Sequence, residues 1–99
     1  MTKQNMITDI QAKEAALWLE LAIYDHRYAP VGCSKEAEIA WEMSDPGHLK
    51  KLYAWCAVND LMESLGINAS RDSSDYETAY MLRDDLWHRR QAAKGIYYN

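Results

Sequence analysis

Ala-Ala-Leu-Trp-Leu-Glu-Leu-Ala-Ile-Tyr, residues 15–24, carries a single charge, Glu20, in ten positions. Its leucines and Ile23 alternate with period two, which suits a strand. Helix formers surround it, however, and no Gly or Pro interrupts the chain before Pro30. Ala, Leu, Glu and Lys all favour helix, and β-branched residues are few. Upstream, Thr8-Asp9-Ile10-Gln11 has the hydroxyl-then-amide spacing of a capping box. The reading is therefore a helix over residues 9–28. At about 100° per residue, Ile10, Leu17, Leu21, Tyr24 and Tyr28 share one stripe. Ala12, Ala15, Leu19, Ala22 and Ile23 cover the opposite side. A helix apolar on two faces belongs between neighbours, so the rest of the chain is expected to pack around it.

Working outward, Ala29-Pro30-Val31-Gly32 stops this helix, because the residue before proline disfavours helical angles. Ser34 caps a short helix over residues 35–43. Asp45-Pro46-Gly47 then opens a third over residues 46–65, with Asp45 at the cap and Pro46 at the first helical position. Gly66 ends it. Ser74-Asp75-Tyr76-Glu77 is a second capping box, opening a fourth helix over residues 75–94. The chain thus reads as one all-α domain over residues 1–99, a bundle of four helices with antiparallel neighbours. Residues 1–7 read as a frayed tail. Residues 96–99, Ile-Tyr-Tyr-Asn, form a second tail, apolar enough to dock.

Ninety-nine residues suffice for one core without disulfides or metals. No apolar run approaches the roughly 20 residues of a membrane span, and the first residues lack the apolar centre of a signal peptide. A cytoplasmic location follows as the expectation. Cys33 and Cys56 are then expected to be thiols rather than a bridge. The net charge of −4 argues against a nucleic-acid binder, since phosphate contacts need a basic surface. A helix-turn-helix at residues 35–65 meets the same objection, because Glu36, Glu38 and Glu42 would repel the phosphate backbone.

Several side chains have spacings that carry chemistry elsewhere. Glu42-x-x-Asp45 and Asp60-x-x-Glu63 superficially resemble the carboxylate pairs of all-helical, magnesium-dependent nucleotide pyrophosphohydrolases. That resemblance implies a small all-α metal-dependent nucleotide hydrolase, with carboxylates from facing helices holding Mg²⁺ against a triphosphate. Asp45 is needed as a cap, however, and solvated helix faces account for the other acids. Asp85-x-x-His88 has one-turn spacing but lacks a second pair. Cys33, His48 and Cys56 fit no zinc pattern. The expectation is no metal, no cofactor and no catalytic residue.

Helix 4 carries two stripes. Ala79, Leu82, Leu86 and Ala93 suit packing on helix 1. About a quarter-turn away lie Tyr76, Tyr80, Arg83, Trp87 and Arg90. Tyr, Trp and Arg are the residues that dominate interface energies. These five are therefore the candidate partner-binding residues, and the partner is another protein or a second copy of this chain. The functional expectation is a non-enzymatic binding module acting as an inhibitor or adaptor. Its style is that of the small acidic helical accessory proteins of phages and mobile elements.

Overall fold

In the computed structural model, which describes residues 2–95, four helices follow one another: α1 (Lys3–Tyr28), α2 (Lys35–Ser44), α3 (Pro46–Leu65) and α4 (Ser74–Ala93). The described residues contain no strand. Punctuation placed most boundaries within one residue. Asp45 caps α3 by accepting from the His48 amide at 3.0 Å. Gly66 takes the left-handed conformation at its end, φ 69°. There the Ile67 amide reaches back to the Met62 carbonyl at 2.8 Å, closing the last turn as a Schellman motif does. The cap of α4 is Ser73 rather than Ser74.

The start of α1 differs more. Thr2 is the cap, accepting from the Asn5 amide at 3.2 Å. Thr8 lies inside the helix, where its hydroxyl donates to the Gln4 carbonyl at 2.9 Å, the back-bond that mid-helix threonines make. Residues 3–7 are thus helical rather than a tail. Residues 96–99 lie outside the described residues.

α1 is the middle helix, with α3 along one side and α4 along the other. Successive long helices reverse direction. Tyr24 meets Asp45 and Glu14 meets Trp55, so α1 and α3 are antiparallel. Glu14 meets Tyr76 and His26 meets Asp85, so α4 returns parallel to α1. α3 and α4 make no direct approach to each other. A three-helix layer of this kind is thin, and the molecule measures 52 × 32 × 19 Å. Its radius of gyration is 15.7 Å, against about 13 Å for a compact chain of this length.

Thinness limits burial. The buried apolar residues are Ala15, Leu21, Ala22, Met62, Ala79 and Leu86. Leu17, Leu52 and Trp55 suit a fully buried core on the sequence pattern, yet they are only half-buried. α1 is central, but its reverse side is open: Ala12 and Ala16 are exposed and Ile23 is 49% exposed. The two-faced pattern over residues 10–28 has neighbours on its flanks and none behind it. The accessible surface is 6830 Å², where the size scaling for folded monomers gives roughly 5,800 Å².

Candidate functional site

Because α3 and α4 flank α1 without meeting, they leave a trough between them. α1 is its floor, and α2 crosses one end. The trough contains a cleft of about 310 Å³ lined by Trp18, Trp55, Arg71, Tyr76, Tyr80 and Arg83. A neighbouring cleft of about 520 Å³ shares Arg71, Tyr76 and Tyr80 and adds Asp72, Glu77 and Met81.

Glu14 is fully buried beneath the cleft. Its Oε2 accepts from Trp55 Nε1 at 2.6 Å and also from the Tyr76 hydroxyl. One carboxylate oxygen therefore ties both walls to the floor, while Oε1 has no partner. Burial and the bond to Glu14 push the Tyr76 hydroxyl well above the ordinary tyrosine range. Trp18 packs on Trp55 with ring centroids 4.8 Å apart, and the Arg83 guanidinium lies 4.0 Å over the Trp18 ring. This is a cation–π arrangement in a partly desolvated setting. Arg83 Nη1 is 3.9 Å from Asp25 Oδ2, while Nε and Nη2 are buried and without a hydrogen-bond partner. Burial pulls the Arg83 pKa down, opposed by the charges of Asp25 and Glu42.

Further along the trough, buried Asp25 meets His48 Nδ1 at 2.7 Å. Trp41 of α2 covers His48 at 5.2 Å between ring centroids. Tyr24 donates to Asp45 at 2.7 Å, and that bond, more than burial, pushes the tyrosine up to about 12. The Asp45 carboxyl is held below its usual range by the His48 amide and by Tyr24. Gly47 has no room for a side chain, because a Cβ there would stand 2.1 Å from the Tyr24 hydroxyl. At the α2 end, buried Glu38 accepts from Lys94 at 2.6 Å and lies 3.2 Å from Arg90 Nε. The Lys94 bond, aided by the charge of Arg90, lowers its pKa.

The five residues nominated on α4 divide. Tyr76 is held by Glu14. Arg90 reaches the Pro30 carbonyl at 3.1 Å and Glu38, with only 13% of its side chain exposed. Arg83 lies between, over Trp18. Tyr80 and Trp87 are 73% and 46% exposed at the rim. The stripe is therefore the trough-facing wall of α4, and not an outward face. Glu14, Trp18, Trp55 and Arg71 complete the site and escaped sequence reasoning. Trp18 stands alone between two apolar stripes, and nothing local marks Glu14 as buried.

The other constellations do not assemble. Asp60 and Glu63 lie about 23 and about 27 Å along α3 from Asp45, at 1.5 Å per residue. Glu42 is 3.9 Å from Arg90. His26 bonds Asp85 at 2.7 Å, and that bond lowers the Asp85 pKa. His88 lies 3.4 Å from Asp84. Cys33 and Cys56 are both free, and no helix among the described residues is long and apolar enough to cross a membrane. Compared with protein-family models, with curated proteins and with solved structures, the chain matches none.

Proposed function

We propose that this protein is a non-enzymatic binding module that takes side chains of another protein into the aromatic–arginine cleft. In this reading the module acts as an inhibitor or adaptor of its partner. The observation that carries the reading is the lining of the cleft, which among the described residues is four aromatic rings and two arginines. These are the types that anchor interfaces, because they combine rigid area with a polar handle. Tyr80, Met81 and Trp87 extend the surface beyond the cleft, at 73%, 65% and 46% exposure. Exposed apolar surface rimmed by polar groups marks interaction sites. The two free thiols fit a reducing cytoplasm, where an accessory protein of a phage or mobile element would meet its host target.

The test is affinity capture from an extract of the source cells, with wild type beside Tyr80→Ala/Trp87→Ala, followed by titration of the captured protein against both. The expected result is a partner held by wild type and bound at least about a hundredfold more weakly by the variant, the loss of two hot-spot side chains. Equal binding by a variant of unchanged helicity overturns the reading.

A further inference from the structure

α3 presents a second surface, on the side away from the trough. Tyr53, Ala57, Leu61 and Leu65 recur every four residues, and all are exposed, the three large ones at 63%, 46% and 55%. Trp55 lines the cleft and sits about 160° round the helix from Tyr53 and Ala57 and about 120° from Leu61, so this part of the stripe and the cleft face apart. None of the described helices covers the stripe: α3 meets α1 and α2 only.

The charges on α3 are also segregated along its length. Lys50 and Lys51 lie in its N-terminal half, and Asp60 and Glu63 in its C-terminal half. Lys50 and Asp60 make no ion pair among the described residues. α4 has the opposite order, with Asp75 and Glu77 in its first turn and Arg90 in its last.

An antiparallel copy of the same helix resolves both features, and we infer that two copies of this chain pair through α3 about a two-fold axis between Tyr53 and Ala57. The spacing of four is the ridge used in the commonest helix packing. Ala57, small and midway between Tyr53 and Leu61, lets the two backbones approach where the helices cross. Reversal brings the lysine end of each helix toward the acidic end of its mate, Lys50 toward Asp60, with the two dipoles opposed.

Sedimentation of the full chain tests the pairing. Wild type should sediment as a dimer of 11.5 kDa protomers, and Leu61→Asp as a monomer of unchanged helicity. Lys50→Glu and Asp60→Lys should each weaken association about tenfold or more, by placing like charges together. A one-to-one mixture of those two variants restores both attractive contacts, so the mixture should dimerise about as well as wild type. The double variant Lys50→Glu/Asp60→Lys should do the same. Tyr80→Ala/Trp87→Ala should leave the dimer intact. The inference is overturned by a wild type that stays monomeric at about 100 µM, by a Leu61→Asp variant that still dimerises, by single charge variants that associate as wild type does, or by a mixture that fails to recover. Loss of the dimer in the Tyr80/Trp87 variant would place the second copy in the cleft instead, and so overturns it too.

Discussion

α3 and α4 are both twenty residues long and both lie on α1, yet they are fastened by different chemistry. α3 sends ring nitrogens to carboxylates, Trp55 Nε1 to Glu14 and His48 Nδ1 to Asp25, and packs Met62 inward. α4 comes close along Ala79 and then relies on charged groups: Asp85 to His26, Arg89 to the His26 carbonyl, and Arg90 and Lys94 to Glu38. Consequently α4 turns most of its charges toward the rest of the fold. α3 keeps Lys50 and Asp60 outside, beside an apolar stripe. What a helix shows to solvent depends on what its docking face has already satisfied.

The largest expected effect is at the residue both helices share. Glu14→Ala leaves two donors without their shared acceptor, at about 1.5–3 kcal/mol each, so chemical denaturation should report a loss of about 3–6 kcal/mol. A smaller loss would mean that the two walls hold without the carboxylate. Next come the two buried anchors, Met62 of α3 and Leu86 of α4. Either residue changed to Ala should lower stability by about 2–4 kcal/mol, and amide exchange should show the affected helix opening ahead of the other. Uniform opening in both variants would break the distinction between the two walls.

Acid should separate them as well. Glu38 and Asp85, which hold α4, and Asp45, which caps α3, are all held below the ordinary carboxylate range. The unfolded chain therefore binds more protons just below about pH 4.5, and stability, full above that point, falls as pH drops through the folded pKa values. With two of those three groups on its side, α4 should lose protection first. Tyr24 works in the other direction: its contribution is full below about pH 10 and disappears as pH rises toward 12. Far-ultraviolet circular dichroism with pH-dependent melting follows both limbs. The smallest effect is at Tyr80, 73% exposed, where Tyr80→Ala should change stability by within about 0.5 kcal/mol. A larger cost would make Tyr80 part of the fold.

Boundaries were legible where a residue's own chemistry decides them. Asp45, Pro46 and Gly66 each impose a backbone requirement within one turn, and the ends of α3 followed. The start of α1 was not, because a threonine hydroxyl serves equally well as a cap at residue 2 or a back-bond at residue 8. Facing was legible only in part. A wheel shows where apolar residues cluster but not how many neighbours exist to cover them, and in a layer one helix thick much of the pattern meets water. Glu14 lay beyond any local reading, since its two donors are 41 and 62 residues away in the chain.

The gap between α3 and α4 also bears on how the fold comes apart. Each outer helix is tied to α1 and neither to the other, apart from the carboxylate of Glu14 and the bridge through α2. Two halves that share only a middle helix can be released separately, so unfolding need not be all-or-none even in a chain this short. Anything that fills the trough supplies the α3–α4 contact that the fold lacks. Occupancy would then register as cooperativity: two exchange classes of amides merging into one, with little change in the shape of either wall.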